Sequence, residues 1–433
     1  MLHRILVSSY MKPIRLNIAV IGLGKIGLPL AVQFSGKGFT VTGVDLNSDL
    51  VDKVNAGQIP FPGETDLPAL LEVALSEFGF SATTDSRSAV RSADIVVVVV
   101  PLVVDRSGAP DFKALDSATT AIAANLQPDT LICYETTVPV GSTRNRFAVQ
   151  LEEGSGLKVG SDFNLVYSPE RVFSGRVFSD LRRYPKLVGG VTPICGARGQ
   201  SFYESVLEFD VRMDLARPNG VWNLGSSETA EMVKLAETTY RDVNIALANQ
   251  FAKFAHQNNI DISSVIEASN SQPFSHIHKP GIAVGGHCIP VYPHLYLWND
   301  PDAEIVRVAR QTNLDMTEHY VNLLEAKHGP LDGETVLILG ASYRGNVKET
   351  SFSGVFEVLR QLVNRGAKCW ISDPYFSSDE LRDLGLPTGG NKNDVSAIVI
   401  QADHREYENL DLSVFPKLKT IINGRSSPIW RTL

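Results

Sequence analysis

Short hydrophobic runs alternate along the chain with stretches in which apolar residues recur at helical spacing. The runs are rich in β-branched residues and end in glycine, proline or polar residues, which is typical of strands buried on both faces of a parallel sheet. In the first half of the chain these runs are Asn17–Ile21, Thr40–Val44, Asp94–Val100, Leu131–Tyr134 and Asn164–Tyr167. Together they predict an α/β fold with a doubly wound parallel sheet.

The same pattern returns near the end of the chain on a smaller scale. Glu334–Leu339, Lys368–Ser372, Val395–Ile400 and Thr420–Ile422 predict a second, smaller parallel sheet. The fold class expected from both patterns is therefore two Rossmann-like, doubly wound domains, joined by a long central helix.

That central helix is predicted from Ser226 to Asn258. Ser226 suits an N-cap, and Asn258 suits a helix end. At 1.5 Å per residue the helix would be roughly 48 Å long. Its apolar face predicts a domain spine and a contact through which two chains form a homodimer, and consists of Met232, Leu235, Ala236, Val243, Ala246, Leu247, Phe251 and Phe254.

Composition narrows the function classes. The chain has 433 residues, 43% of them hydrophobic, and a net charge of -8, which indicates a globular protein and argues against nucleic-acid or membrane-surface partners. The longest apolar run, Ile95–Val104, is far shorter than the about 20 residues that cross a membrane. The N-terminus has no signal-peptide pattern, and the four cysteines form no CxxC pair, so we expect a reducing cytoplasm.

The first strand leads into the sequence GLGKIG, which places glycines at 22, 24 and 27 around Lys25 and Ile26. In this strand–turn–helix context, Gly22 makes the tight turn, Gly24 lets a pyrophosphate approach the backbone, and Gly27 packs helix against strand. Asp45 ends the second strand about 20 residues later, where a carboxylate binds a ribose 2′-hydroxyl and disfavours a 2′-phosphate. These residues predict binding of NAD rather than NADP.

A single cysteine, Cys288, lies in the sequence GIAVGGHCIP. Gly285 and Gly286 lack a Cβ, so a ligand or a second backbone can come close to them. Pro290 prevents the loop from continuing as a helix. The cysteine is therefore either a nucleophile presented by a stiff loop or a small buried hydrophobic residue.

Two further candidates follow strands of the first sheet. Thr137 and Glu170 lie just beyond strand ends, where ligands bind in open parallel sheets, although a helix cap or a turn would use the same residue types. On the central helix, Lys234 and Thr238 are four residues apart and share one side. Such a lysine is commonly a solvated structural residue, and it gains a chemical role only if the cysteine loop folds against this turn.

With these pieces in order, the chain resembles the UDP-glucose/GDP-mannose dehydrogenase family over about residues 15 to 425. The resemblance is carried by IAVIGLGKIGLPLA, ETTVPVGST, YSPERV, AEMVKLAETTYRDVNIALAN, PGIAVGGHCIP and GASYRGNVKETS. The GGHCIP loop is similar to that of the bacterial branch acting on UDP-N-acetylhexosamines.

The resemblance implies oxidation of a sugar CH2OH to a carboxylate with two NAD+ in turn. Cys288 then matches the nucleophile, Lys234 the lysine that stabilises oxyanions, and Thr137 with Glu170 the residues that hold water and protons. Candidate cofactor contacts beyond the glycine turn and Asp45 are Pro101, Thr137 and Arg425. Candidate substrate contacts are Glu170, Arg171, Lys234, Gly285, Gly286, His287, Arg344 and Lys348.

The chain departs from the family pattern at two positions in this machinery. The family has asparagine where Thr238 stands and aspartate where Tyr292 stands. Threonine can still donate one hydrogen bond, but a tyrosine hydroxyl with a pKa of about 10 is a poor general base near neutrality. Oxidation could then stop at the aldehyde, and a nucleotide-sugar-binding protein without turnover is the alternative from another class.

His276, His278, His287 and His294 cluster in sequence but have no recognised metal-ligand spacing, so we expect no metal. The expected domains are a flexible N-terminal extension (1–14), an NAD-binding Rossmann domain (15–215), a central dimerisation region with the cysteine loop (216–325) and a UDP-sugar-binding domain (326–433).

Overall fold

A computed structural model of the chain describes residues 16–61, 63–105, 107–173 and 175–425. The expected N-terminal extension, residues 1–14, lies outside the described residues. The chain forms two compact units. The first contains Asp111–Lys234 and the chain up to Leu102, and the second contains Val103–Pro110 and the chain from Leu235.

The strands, in chain order, are β1 (Asn17–Ile21), β2 (Thr40–Val44), β3 (Ser81–Thr83), β4 (Ile95–Val98), β5 (Val103–Val104), β6 (Pro110–Asp111), β7 (Leu131–Tyr134), β8 (Asn164–Tyr167), β9 (Lys186–Gly190), β10 (Val221–Ser226), β11 (Thr335–Leu339), β12 (Lys368–Ser372), β13 (Val395–Ile400) and β14 (Thr420–Asn423). The helices are α1 (Gly27–Ser35), α2 (Ser48–Asn55), α3 (Leu67–Glu77), α4 (Ser86–Ser92), α5 (Lys113–Ala123), α6 (Val149–Ser155), α7 (Val177–Arg183), α8 (Pro193–Val206), α9 (Ser227–Gln257), α10 (Ile262–Ser269), α11 (Tyr292–Asn299), α12 (Glu304–Leu314), α13 (Met316–His328), α14 (Val355–Val363) and α15 (Ser378–Asp383).

The first unit is built on an eight-stranded sheet in the order β10-β9-β8-β7-β4-β1-β2-β3. Its central strands β4, β7 and β8 are buried at every position, which is why their sequences are continuous apolar runs. Four of the five predicted strands have the predicted bounds. The remaining one, predicted as Asp94–Val100, is shorter, since Asp94, Val99 and Val100 lie outside β4. The Asp94 carboxylate accepts from the Asn17 backbone N–H at 2.7 Å.

The predicted parallel sheet is confirmed with a local exception. Strand β9 pairs with β8 in the antiparallel direction, while β10 pairs with β9 in parallel. The sequence analysis did not predict either strand. Because β9 runs against β8, the first residue of β9, Lys186, lies at the carboxyl end of β8.

The core of the first unit joins helices α1 and α8 to one face of this sheet. Phe34 of α1 and Phe202 of α8 pack edge to face, with ring centroids 5.6 Å apart. They bury alternate residues of the strands, including Val20, Val97 and Val166. The two helices thereby cover one face of the sheet.

The second unit contains a four-stranded parallel sheet in the order β12-β11-β13-β14. Alternate residues of β11 enter different hydrophobic clusters, Val336 and Ile338 on one face, Leu337 and Leu339 on the other. This period of two is the expected result of covering both faces of the sheet. The predicted second α/β unit is confirmed, with strand bounds that differ from the predicted ones by at most one residue.

The long helix α9 has 31 residues and agrees with the prediction to within one residue at each end. The structure divides its predicted apolar face. Leu235 and Ala246 are buried, whereas Met232, Leu247, Phe251 and Phe254 are exposed. None of the helices that the structure describes has the length and apolar character needed to span a membrane.

Candidate active site

The glycine turn after β1 has a separate physical reason for each glycine. Gly22 has φ +95°, the left-handed region that favours glycine. A Cβ on Gly27 would lie 1.8 Å from the Gly22 carbonyl oxygen, so only glycine fits there. A Cβ on Gly24 would meet no protein atom within 4 Å, which leaves open space beside its backbone. Gly24 is therefore the position where a pyrophosphate can approach, next to Lys25 and Ile26.

Asp45 lies immediately after β2 and is fixed against this turn. One carboxylate oxygen accepts from the Leu23 backbone N–H at 2.9 Å, and the other accepts from the Asn47 backbone N–H at 3.0 Å. Each carboxylate oxygen has a further lone pair with which to accept a ribose hydroxyl. The turn and the carboxylate together fit a bound NAD.

Two predicted contacts follow neighbouring strands of the sheet. Pro101 comes after β4 and is exposed, and Thr137 comes after β7 and is buried. Strands β4 and β7 are parallel neighbours, so their carboxyl ends share one edge. Thr136 fastens the two connections, because its hydroxyl donates to the Val100 carbonyl at 2.6 Å.

The loop after Thr137 is held by Glu231, which the sequence analysis did not single out. The Glu231 carboxylate accepts from the backbone N–H of Gly141 at 2.6 Å and from the backbone N–H and hydroxyl of Thr143 at 2.8 and 2.6 Å. Burial raises the pKa of Glu231 to about 7, although these donors oppose the shift. This carboxyl ties the first turns of α9 to the edge of the sheet.

The structure brings two of the three predicted catalytic residues of the first unit, Lys234 and Glu170, into contact. The Lys234 ammonium donates to the Glu170 backbone carbonyl at 2.6 Å. The Glu170 carboxylate itself pairs with the ammonium of Lys186, which the sequence analysis missed. Arg171, beside Glu170, donates to the Pro185 carbonyl at 3.4 Å.

Lys186 also contacts a second buried carboxylate. Its ammonium lies 2.8 Å from an oxygen of Glu135, and the Tyr203 hydroxyl donates to the other Glu135 oxygen at 2.6 Å. Burial lowers the pKa of Lys186 from its ordinary value, an effect that Glu135 opposes. Glu135 directly follows β7, and this place after a strand was the one sign in the sequence that Glu135 belongs to the site.

In the second unit, the half-buried Cys288 lies four residues before Tyr292, the first residue of α11. Its backbone carbonyl accepts from Val291 at 3.1 Å and from Tyr292 at 2.9 Å, so the first turn of the helix forms on this residue. Tyr292, at the position where the family has aspartate, is half-buried at the start of α11.

The two glycines before Cys288 are required by packing inside the second unit. A Cβ on Gly285 would lie 2.7 Å from the Phe352 carbonyl oxygen and 2.6 Å from the Tyr343 Cβ. Gly286 has φ +91°, and its N–H donates to the Ser351 carbonyl at 2.9 Å. Of the alternatives open at the sequence level, the close approach of a second backbone is the one observed at Gly285.

Arg425 holds the cysteine loop from the other side. Its guanidinium donates to the carbonyls of Ala283 at 3.0 Å, Tyr343 at 2.6 Å and Gln401. The side-chain amide oxygen of Asn249 accepts from the Gly281 backbone N–H at 2.9 Å and fixes the start of the loop. In this structure Arg425 therefore orders three backbone segments, and its expected contact with NAD stays a prediction.

The remaining candidates of the second unit differ in exposure. Arg344 and Lys348 are exposed; Lys348 pairs with Glu380. His287 is also exposed and lies 3.3 Å from the Glu349 carboxylate. Thr238 is buried, and its hydroxyl donates to the Leu235 carbonyl within α9 at 3.1 Å. Within the described ranges, no group of three or more His, Cys, Asp or Glu side chains could hold a metal ion.

Comparison with known proteins assigns each part of the chain. Residues 16–207 match the NAD binding domain of the UDP-glucose/GDP-mannose dehydrogenase family, residues 228–320 its central domain, and residues 337–427 its UDP binding domain. The chain belongs to the UDP-glucose/GDP-mannose dehydrogenase family. It is therefore an NAD-dependent oxidoreductase of the UDP-sugar dehydrogenase type, and the resemblance found in the sequence is confirmed.

Individual relatives cover almost the whole chain. The UDP-N-acetyl-D-mannosamine dehydrogenase of Escherichia coli is 37% identical over 90% of this chain and 94% of its own length. That of Pyrococcus horikoshii is 34% identical over 95% of this chain and 96% of its own length. The solved structure of the UDP-D-ManNAc dehydrogenase from Pyrococcus horikoshii matches with a TM-score of 0.86 at 32% identity and covers 96% of each chain.

Proposed function

We propose that this protein oxidises C6 of a UDP-N-acetylhexosamine, with UDP-N-acetyl-D-mannosamine as the first candidate, to the carboxylate. The observation that carries the proposal is the match to the named mannosamine dehydrogenases over nearly the full length, in a chain that has Cys288 in its GGHCIP loop. The expected cytoplasmic location is part of this proposal.

The proposed roles follow from the chemistry of each side chain. NAD, when bound, accepts one hydride from C6 in each of the two oxidations. Lys234 stabilises negative charge that develops on the C6 oxygen, because a buried ammonium is a strong electrostatic partner for an oxyanion. The Cys288 thiolate adds to the aldehyde to form a thiohemiacetal, which becomes a thioester on loss of the second hydride.

Hydrolysis completes the reaction. A water molecule attacks the thioester carbonyl carbon, its proton passes to the Glu170 carboxylate, and the Cys288 thiolate leaves. Thr137 is proposed to orient this water. Arg344 and Lys348 are proposed to bind the UDP-sugar, since exposed cations can pair with a diphosphate. The exposed His287 is proposed as a further substrate contact.

A second outcome of the reaction is suggested by Thr238 and Tyr292, the two departures from the family pattern. The Thr238 hydroxyl donates within its own helix, and Tyr292 places a phenol where the family has a carboxylate. Both changes weaken the stabilisation of charge and water in the second half of the reaction. A chain so altered would release the aldehyde after one oxidation.

The test measures NADH formed per sugar with UDP-ManNAc, UDP-GlcNAc, UDP-GalNAc and UDP-glucose, in the presence of hydroxylamine to trap aldehyde. Two NADH per sugar support oxidation to the acid, and one NADH with a trapped oxime supports the aldehyde outcome. Cys288→Ser is the matched variant and should lose the second NADH. No NADH with any nucleotide sugar contradicts the proposal and favours a binding protein without turnover.

We also propose a homodimer that forms through α9. The exposed side chains Met232, Tyr240, Leu247, Phe251 and Phe254 are spaced by eight, seven, four and three residues, and a stripe of this length is a large apolar surface for a monomer to leave in water. A second copy of the same helix offers a matching stripe, as an isologous contact requires.

A further inference from the structure

Four side chains of the first unit form a continuous set of polar contacts, which we call the Glu135 cluster: Tyr203, Glu135, Lys186 and Glu170. The Tyr203 hydroxyl reaches Glu135 at 2.6 Å, and the Lys186 ammonium joins Glu135 at 2.8 Å to Glu170. The Lys186 side chain is 5% exposed and the Glu135 side chain 0%. The Lys186 ammonium also lies 4.7 Å from the centre of the Tyr203 ring.

The direction of strand β9 explains why Lys186 reaches this place. Tyr167 of β8 pairs with Gly189 of β9 in the antiparallel register, so the first residue of β9 extends past the carboxyl end of β8. The Ser168 hydroxyl continues this pairing by donating to the Leu187 carbonyl at 2.8 Å. A parallel strand would have delivered its first residue to the opposite edge, away from Glu170.

Charged side chains of both signs surround Glu170. Two carboxylates, Glu135 and Glu170, face two ammonium groups, Lys186 and Lys234. The Lys234 ammonium is directed at the Glu170 backbone carbonyl, whereas Lys186 contacts the carboxylate. Arg171, the neighbour of Glu170 in sequence, donates to the Pro185 carbonyl.

The other titratable groups of the cluster add no cation. Burial raises the pKa of the Cys133 thiol and of the Tyr203 hydroxyl, so both are neutral near pH 7. Burying a lysine costs free energy that only close opposite charges offset. A lysine placed here therefore fits a requirement for positive charge on these two carboxylates.

We propose that Lys186 is a positioning residue that keeps the Glu170 carboxylate ionised and oriented to accept the proton of the hydrolytic water. The proposal rests on the function proposed above and extends it to a residue that does not touch the substrate. Contact of the ammonium with one Glu170 oxygen fixes the direction of the second oxygen. Glu135 and Tyr203 hold Lys186 in place from the opposite side.

The test compares wild type with Lys186→Met and Lys186→Arg in two measurements. The first is kcat for NADH formation from pH 5 to 9 at saturating NAD+ and UDP-sugar. Loss of an opposite charge makes a carboxylate easier to protonate. The acid limb of the kcat–pH profile, where activity falls at low pH, should therefore move up by about 1–3 pH units in Lys186→Met. Lys186→Arg should bring the limb back towards wild type, which loss of packing alone does not explain.

The second measurement is the intact mass of the protein after rapid acid quench during turnover at about pH 6. Lys186→Met should accumulate a sugar thioester on Cys288, because proton transfer from the water has become slow, and wild type should not. Lys158→Met is the control: Lys158 is a surface lysine of the same unit, 68% exposed and paired with Glu152. It should leave both readouts unchanged.

Folding is checked by thermal unfolding of each variant. If Lys186→Met does not fold, the double variant Glu135→Gln/Lys186→Met removes the buried charge together with its partner, a change that commonly preserves stability. Its acid limb should still be shifted. If wild type makes NADH, but the Lys186 variants have the wild-type pH profile and accumulate no thioester, the role of Lys186 is overturned and the proposed function is not. If wild type makes no NADH, both proposals are overturned.

Discussion

Three glycines of one short turn make different demands at the scale of a single residue. Gly27 excludes any side chain because the Gly22 carbonyl occupies the space of a Cβ, whereas Gly24 borders open space. The spacing of the three glycines would be the same whether the motif formed only a tight turn or also bound a ligand. Only the distances separate the glycine that serves the fold from the glycine that serves NAD.

We therefore expect Gly24→Ala and Gly27→Ala to fail in different ways. The free energy of unfolding of Gly24→Ala should lie within about 0.5 kcal/mol of the wild-type value. The variant should nevertheless bind NAD at least about tenfold more weakly, because its methyl group enters the space left for the pyrophosphate. Gly27→Ala should lose about 1–3 kcal/mol or more of stability from overpacking. Urea unfolding and calorimetric titration with NAD measure the two effects; equal loss of stability in both variants would contradict this assignment.

Candidate site residues could be named from the sequence where a motif carries its own local geometry. The glycine turn, Asp45, Lys234 and Glu170 could be named because they follow recognisable strands or a helix in sequence. Lys186 could not, since the sequence YPKLVGG gives no sign that β9 is antiparallel. Its role depends on a pairing direction that the local pattern does not contain.

At the scale of elements, α9 carries two acids on its buried side. Burial raises the pKa of Glu231 to about 7 and of Asp242 to about 6, the latter against an ion pair with Arg310 at 2.8 Å. In both cases the folded state holds the proton more tightly than the unfolded state. The contribution of these two acids to stability should therefore fall as pH rises from about 4 to about 7.

Glu231→Gln tests this pH dependence. The variant has no proton to lose at this position. The decrease in the free energy of unfolding that Glu231 causes between about pH 4.5 and 7 should therefore disappear, while the decrease that Asp242 causes up to about pH 6 remains. The measurement is the free energy of unfolding in urea at pH 5 and 7.5. Glu153→Gln, an exposed glutamate of α6, serves as control, and a slope that Glu231→Gln leaves unchanged would refute the argument.

Most strands of the two large sheets were readable from the sequence, and α9 was the helix whose bounds it predicted. Buried strands such as β4, β7 and β8 are continuous apolar runs, and α9 has a clear start and end. Strands β9 and β10 were missed because LVGG and VWNLGS carry glycines and a weak alternation. Gly189 and Gly190 are needed there since a Cβ would approach backbone atoms of Ser226 and Gly196 at 2.1 and 2.2 Å.

At the scale of the whole molecule, the exposed stripe of α9 argues for a partner. Burying several large apolar side chains contributes roughly 1.5–3 kcal/mol each, enough in sum to favour association. The predicted apolar face of this helix combined residues that the structure assigns to two sides. The exposed members are the ones that the proposed homodimer would bury.

The dimer prediction is tested by placing a charge in the stripe. Leu247→Glu and Phe251→Glu should shift the molar mass measured by light scattering from a dimer towards the 47.2 kDa monomer. Val211→Glu, at a more exposed apolar residue in a loop of the first unit, should leave the mass unchanged. A monomeric wild type, or dimers in all three variants, would remove α9 as the contact.

The sequence by itself determined the fold class, the cofactor and the family, because strand burial, the glycine turn and the cysteine loop are each encoded over a few adjacent residues. Tertiary structure decided which groups surround Glu170, why Gly285 and Gly286 are glycines, and which side of α9 remains in water. Those facts depend on strand direction and on atoms brought close from distant parts of the chain. Sequence spacing does not record either.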